Sequence, residues 1–339
     1  MSPTPSLAPR IVVTTDPENS EFPFAELRSW ITPVEQFYVR SHFPVPAIDP
    51  ATWRLAVGEG RLSLADLEAL PQRSVVATLE CAGNGRVFNQ PPVSGVQWRS
   101  GAVSNGEWGG PSLADVLEAA GARDADHVHL AGADRGVFHG REVAFVRSLP
   151  REKALDADTL IALRLNGEPL TADHGAPARA VVPGWYGMAS VKWLLAIEPR
   201  DEPSDNPFMI DDYTRMGPGG PEPLDWMEPK AQIARPAENA AVTAGPVLVE
   251  GAAWSGRSPV VRVELSDDEG ATWSAAELEG PEARWAWRLW RWTWNAERGS
   301  RALMVRAVDA GGRTQPATAD PSSPGYLNHW VRPHPIEVV

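Results

Sequence analysis

The alternation of apolar and polar positions sets the first expectations. Val75-Val76-Ala77-Thr78-Leu79 has strand character and leads directly into Cys81-Ala82-Gly83-Asn84-Gly85-Arg86, so the cysteine falls where a strand gives way to a tight, glycine-rich loop. Ser63-Leu64-Ala65-Asp66 and Ser112-Leu113-Ala114-Asp115 each set a serine three residues ahead of an acid. At that spacing the side chains satisfy free N–H groups of a first helical turn, so both predict helix starts. The second continues with Leu113, Val116, Leu117 and Ala120 on one face and meets a stop at Gly121. Residues 1–22 read as an irregular arm, and Pro218-Gly219-Gly220-Pro221-Glu222-Pro223 reads as a linker. Between them short strands are expected to alternate with short helices.

Beyond that linker the pattern is of strands and turns. Val261, Val263 and Leu265 alternate ahead of an Asp267-Asp268-Glu269-Gly270 turn, which predicts an all-β module. Trp285, Trp287 and Leu289 share one parity, and Trp290, Trp292 and Trp294 the other. Large aromatics therefore occupy both faces of this segment. Either one face packs inward and the other against a partner subunit, or both are buried within one chain. No internal repeat is visible.

Composition narrows the function classes. A chain of 339 residues exceeds an ordinary single core, which stops growing near ~250 residues, and suits two domains. With 43% hydrophobic and 22% charged residues it reads as globular. A net charge of −13 opposes the broad basic surface that nucleic-acid binding needs. It also means that a small anionic substrate requires a locally basic pocket. Met1 to Arg10 lacks the basic start and apolar run of a secretory signal, and no stretch approaches ~18 uninterrupted apolar residues. A cytoplasmic protein without a membrane span is expected. The single cysteine excludes an internal disulfide, a Cys-ligated iron–sulfur cluster and covalent C-x-x-C-H haem attachment within one chain. An electron acceptor, where one is needed, is external.

Cys81 is read in two ways. A lone cysteine is commonly an inert small core residue. In this loop, Gly83 and Gly85 permit close approach of a bulky ligand, and Arg86 favours the thiolate, which binds soft metals or attacks electrophiles. Spacing alone names no metal and leaves a cysteine nucleophile open.

Phe37-Tyr38-Val39-Arg40-Ser41-His42-Phe43-Pro44-Val45-Pro46, Leu79-Glu80-Cys81-Ala82-Gly83-Asn84, Asp173-His174-Gly175 and the run from Pro183 to Trp193 resemble the sulfite oxidase family in order and spacing. Trp254-Ser255-Gly256, Val261-Arg262-Val263-Glu264, Gly270-Ala271-Thr272-Trp273 and Trp287-Arg288-Leu289-Trp290 continue the resemblance. It implies an α+β chain: a mixed α/β molybdopterin-binding catalytic domain over residues 23–229, then an immunoglobulin-like β-sandwich over residues 230–339 that makes a homodimer. It also implies molybdenum on a single pterin, with Cys81 as the metal's thiolate ligand and no haem in this chain. Tyr38, Arg40, Ser41 and His42 match one pterin-binding segment, His174, Arg179, Ser190 and Lys192 another, and Asp134 lies in a loop of variable length. Arg40, Arg86 and Trp98 match an anion pocket beside the metal, which Arg257 closes from the second domain.

Guanidinium forks suit a buried oxyanion, so the assembly is chemically coherent. Each residue also has a plainer reading: salt bridges for Arg40 and Arg257, hydrogen-bonded histidines for His42 and His174, a strand-end charge for Lys192, packing for Trp98 and a turn for Asp134. Two departures from the family pattern stand out. Leu163 occupies a position where sulfite-oxidising members carry a tyrosine, and Gly85 one where many carry a second arginine. Tyr186 and Tyr213 are the candidates to supply the missing phenol. The function implied is oxidation of sulfite to sulfate by oxygen-atom transfer, with electrons leaving to a cytochrome, another carrier or dioxygen. The alternatives are reduction of nitrate or of an S- or N-oxide on the same cofactor, and a cofactor-free assembly protein in which Cys81 is merely buried.

Overall fold

The computed structural model describes residues 7–323 and 325–339. It is strand-rich, with short helices. The expected helix starts are in place: Ser63 caps Leu64–Ala69 with a reciprocal Ser–Asp box, and Ser112 caps Leu113–Ala119, which ends at Gly121 with φ +64°. Elsewhere strands follow one another directly or across short 3-10 turns, and the other α-helices, Arg151–Ala154 and Pro207–Ile210, are single turns. The regular alternation of strand and helix is therefore not what forms.

Two segments read as irregular are hairpins. In the expected arm, Ile11–Thr15 pairs antiparallel with Glu18–Glu21, and Ser20 exchanges backbone hydrogen bonds of 2.9 Å with Val39. The β-branched run Ile11-Val12-Val13-Thr14-Thr15 outweighs its Pro-rich surroundings, and Asn19, Ser20 and Glu21 are buried. Residues 1–6 of the arm lie outside the described residues. In the expected linker, Gly220–Pro223 pairs with Thr214–Gly217 across a Pro218-Gly219 turn.

The first region carries a five-stranded sheet in the order Gly60–Leu62, Leu55–Val57, Leu194–Arg200, His127–Phe138, Arg141–Pro150. A second, four-stranded sheet runs Glu168–Pro169, Arg164–Leu165, Val103–Pro111, Gln72–Glu80. From residue 230 onward the chain forms two sheets about one core. Ile233, Val249, Trp290 and Trp294 enter that core from the sheet containing Lys230–Arg235, Gly245–Trp254 and Arg288–Ala296. Val263, Leu265, Leu303, Val305 and Ile336 enter it from the other.

The tryptophan-rich segment is buried within the chain. Trp290 and Trp294 fill the two-sheet core and Trp292 packs half-buried against it. Trp285 and Trp287 lie against the first region instead: Thr78 donates its N–H to the Trp285 carbonyl at 2.9 Å, and the Trp287 N–H donates to Thr78 Oγ1 at 2.8 Å. Trp254 and Trp287 join Phe22 and Phe24 in the main core, so the two regions share one continuous apolar interior.

Candidate functional site

The antiparallel ladder between Gln72–Glu80 and Val103–Pro111 ends at Glu80. Cys81 then turns out of the sheet, its N–H bonded to the Ala102 carbonyl at 2.9 Å, while the Asn84 N–H returns to the Cys81 carbonyl at 2.8 Å. Gly85 takes φ +95°, a conformation that strains any other residue, and launches the single turn Arg86–Phe88. Behind the loop, Glu80 Oε1 accepts from Lys230 Nζ at 2.9 Å and from Asn84 Nδ2 at 3.0 Å, and Glu80 Oε2 accepts from Trp254 Nε1 at 2.8 Å. Glu80 and Lys230 are both buried. The second region thus grips the cysteine loop through a fully satisfied polar network.

The Cys81 side chain is 6% exposed and lines two cavities. Burial pushes its thiol pKa up, while Arg40 and Arg86 pull it down. The inner cavity encloses about 660 Å³ of space, part of it open to solvent, and brings together Tyr38, Arg40, Ser41, His42, Asp134, His174, Arg179, Ser190 and Lys192 with Cys81. All the sequence-derived cofactor residues therefore meet there, and none of the plainer readings places them so. Lys192 Nζ donates to Ser41 Oγ at 3.0 Å and to the Asp173 carbonyl at 2.8 Å. Arg179 donates to the carbonyls of His174 at 3.1 Å and Ser190 at 2.9 Å. Ser190 Oγ accepts from the Val182 N–H at 3.0 Å.

Burial dominates the electrostatics. It pushes Lys192 down to about 7, Arg179 down to about 10 and His174 down to about 4, and raises the Asp134 carboxyl to about 6. His42 is also held well below its usual range, by burial and then by Arg40, and its Nε2 lies 2.6 Å from Tyr213 Oη. Arg40, Arg86, Arg179 and Lys192 make no ion pair among the described residues; their partners are carbonyls, hydroxyls, an amide oxygen and, for Arg40, the His42 imidazole. Desolvated cations without carboxylates call for an anion of another origin. A phosphate-bearing pterin beside a thiolate-held metal fits this donor set.

The second cavity, a vestibule of about 890 Å³ partly open to solvent, shares Arg40, His42, Cys81 and Tyr213 with the first and adds Arg86, Phe138, His139, Asp212 and Tyr326. Arg86 donates from Nε to the Gly325 carbonyl at 3.0 Å and from Nη1 to the Val96 carbonyl at 3.2 Å. Arg40 donates to Asn19 Oδ1 at 3.2 Å, and the same oxygen accepts from the Ser41 N–H at 2.9 Å. Asn19, on the N-terminal hairpin, thereby orients two site residues, a role hidden by the reading of its segment as an irregular arm.

Two predicted anion-pocket residues lie elsewhere. Trp98 is fully buried in the cluster that contains Cys81 and Tyr38, its indole N–H has no hydrogen-bond partner among the described residues, and it lines neither cavity. Arg257 lines neither cavity: it pairs with Asp225 at 3.6 Å and lies 5.6 Å from the centre of the Trp226 ring. The backbone explains this, because Gly256 N–H bonds to the Met227 carbonyl and Met227 N–H to the Gly184 carbonyl, pinning the short turn that carries Arg257. Leu163 is a core residue, and the Tyr186 hydroxyl meets the Glu228 N–H at 3.5 Å away from both cavities. Of the two candidate phenols, Tyr213 is the one that lines both cavities with Cys81. Sequence reasoning also passed over Arg147, a fully buried cation pushed down to about 10 by burial, 5.9 Å from the centre of the Tyr213 ring. Its sequence signal is a charge set directly after the apolar run Val143-Ala144-Phe145-Val146 in the strand Arg141–Pro150.

Comparison with known proteins agrees with this geometry. Residues 42–208 match the oxidoreductase molybdopterin binding domain, and residues 224–336 match the Mo-co oxidoreductase dimerisation domain. The chain is 38% identical to mitochondrial sulfite oxidase of Mus musculus over 95% of its own length, and it spans 64% of that protein. Sulfite oxidase of Arabidopsis thaliana is 33% identical, with 90% of this chain and 87% of the relative covered. The crystal structure of the sulfane dehydrogenase SoxCD from Paracoccus pantotrophus superposes with a TM-score of 0.84 at 26% identity, covering 98% of this chain and 90% of that one. A chain with these matches, and with a cation-lined cavity built around a single buried thiol, belongs to the sulfite oxidase family of molybdopterin-dependent oxidoreductases.

Proposed function

We propose that this protein oxidises sulfite to sulfate by oxygen-atom transfer and hands the electrons to an external acceptor, a cytochrome, another carrier or dioxygen. The observation that carries the reading is the position of Cys81 in the wall between a cation-lined inner cavity and a vestibule whose arginines, Arg40 and Arg86, have no carboxylate partner among the described residues. Similarity to sulfite oxidases from a mammal and a plant supports it.

In this reading Tyr38, Ser41, His42, Asp134, His174, Arg179, Ser190 and Lys192 hold the pterin and its phosphate, and Cys81 is the metal's ligand. When bound, the molybdenum cofactor supplies oxygen-atom and two-electron redox chemistry. The protein's own part is to bind and orient. Arg40 and Arg86 replace the water shell of the incoming anion, and their burial makes each charge-assisted contact count for more than it does in water. Tyr213 lies within hydrogen-bond distance of His42 and faces the same vestibule, so it supplies a phenol in place of the one absent at Leu163. Trp98 acts only as packing behind Cys81, and Arg257 has no part in anion binding.

Residues 23–229 serve as the catalytic domain, extended by the 11–21 hairpin, and residues 230–339 as an immunoglobulin-like sandwich that forms a homodimer. No helix among the described residues is long and apolar enough to cross a membrane.

The test is molybdenum content measured together with steady-state sulfite turnover on an artificial acceptor. Stoichiometric metal and saturable oxidation are expected. Loaded enzyme that ignores sulfite but reduces nitrate or an S- or N-oxide overturns the substrate assignment, and protein without metal from a cofactor-producing host overturns the enzyme.

A further inference from the structure

Arg86 is placed by segments far apart in sequence. Its guanidinium sits in a socket of glycines: a Cβ at Gly83 would stand 2.7 Å from Nη2, one at Gly95 2.5 Å from Nη1, and one at Gly325 3.1 Å from Nε. Gly325 also accepts from Nε, and the next residue, Tyr326, lays its ring 4.9 Å from the guanidinium carbon. Gly325 and Tyr326 come from the second region, so it reaches past the domain junction to the vestibule's arginine.

Asp212 makes this arrangement informative. Its carboxylate lines the same vestibule as Arg40 and Arg86, yet pairs with neither among the described residues. A carboxylate and a guanidinium sharing a cavity ordinarily form a fork-to-fork pair, and such a pair would neutralise the charge that an anionic substrate needs. The Tyr326 hydroxyl prevents it by donating to Asp212 Oδ1. Tyr213 closes the other side, with its ring centre 5.3 Å from that of Tyr326. A residue that merely filled space would not need a phenol directed at a carboxylate.

We propose that Tyr326 is a positioning residue for the substrate anion: its ring fixes the Arg86 guanidinium, and its hydroxyl engages Asp212 so that the carboxylate does not take the anion's place on Arg86. This rests on the reading of the vestibule as the sulfite entrance. Tyr326 acts through Arg86 and Asp212, so its loss changes binding more than the chemical step.

The experiment uses the molybdenum-loaded full chain as wild type, Tyr326→Phe, Asp212→Asn and the double variant. Sulfate affinity is measured by calorimetry, KM and kcat with sulfite, and metal content alongside. Tyr326→Phe keeps the ring and frees Asp212; one charge-assisted hydrogen bond redirected to Arg86 weakens sulfate binding and raises KM about tenfold, with kcat and metal content changing less than about twofold. Asp212→Asn alone binds sulfate at least as tightly as wild type. Adding Asp212→Asn to Tyr326→Phe restores affinity, because the competing charge is gone. The proposal is overturned if Tyr326→Phe binds sulfate as wild type does, if the double variant stays as weak as Tyr326→Phe, or if the wild type binds no sulfate. A wild type that binds sulfate but does not oxidise sulfite sinks the functional reading instead and leaves the sulfate comparison to decide the role of Tyr326.

Discussion

The cavity on one side of Cys81 is walled chiefly by residues 37–42 and 173–193, whereas the vestibule on the other side draws on residues 86, 94–96, 138–139, 212–213 and 326. The first is built within two short stretches, each held by its own turns and by cross-links such as Lys192 to Ser41. The second is a meeting of loops, and its central cation is fixed by a carbonyl 239 positions away. The difference separates two tasks. Both linings are mostly turns and irregular backbone; in the proposed reading the resident cofactor is met by donors gathered in two short stretches, and the transient substrate by segments drawn from across the chain.

Four measurements break or sharpen that contrast. Cys81 is the joint between the cavities, so Cys81→Ser is expected to bring turnover to background in the purified enzyme while costing only about 1–2 kcal/mol in urea unfolding, the scale of a small buried polar group. Retained activity removes the metal-ligand assignment. Lys230→Met leaves the buried Glu80 carboxylate unpaired behind the cysteine loop and should cost about 3–5 kcal/mol. Adding Glu80→Gln should recover most of that loss, and a double variant as unstable as the single one denies the loop its dependence on the second region.

The inner cavity's poised charge is visible through pH. Lys192 titrates at about 7 in the folded, cofactor-free protein against an ordinary value of 10.5. Between these values the unfolded chain binds a proton that the folded one does not, so stability rises with pH across that window. The difference in melting temperature between wild-type and Lys192→Met apoprotein should therefore widen in favour of wild type from pH 7 to pH 10. Cofactor loading should flatten the trend, since a bound anion restores the proton. The smallest effect is reserved for Arg257→Gln. Its half-exposed pair with Asp225 is worth no more than about 1 kcal/mol, and KM for sulfite should not move. A severalfold rise in KM returns this arginine to the anion site.

How much was legible in the sequence follows the same division. Short-range signals held for the serine caps at 63 and 112 and for the strand that leads into Cys81, which depend on neighbours within a few residues, and the two segments read as cofactor-binding line one cavity. The hairpins at 11–21 and 214–223 were obscured because nearby prolines and glycines speak for irregularity, while the pairing partner lies just across the turn. Trp98 and Arg257 missed the cavities for a tertiary reason. An indole directed into a packed cluster and an arginine on a pinned turn look, residue by residue, like members of a pocket. Tyr326 and Asp212 carry no local mark, since their meaning arises only when the chain brings them together over Arg86.

The interior common to both regions bears on how the protein is made. A chain leaving the ribosome delivers Cys81, His174 and Lys192 well before Trp254 and Trp287, whose rings complete the apolar packing around Phe22 and Phe24. A first region that folded as soon as it was made would leave the faces of Phe22 and Phe24 bare of those rings until the second region arrived. The inner cavity takes no wall residue beyond Tyr213, so its lining is synthesised in full before the indoles that finish the interior beneath it.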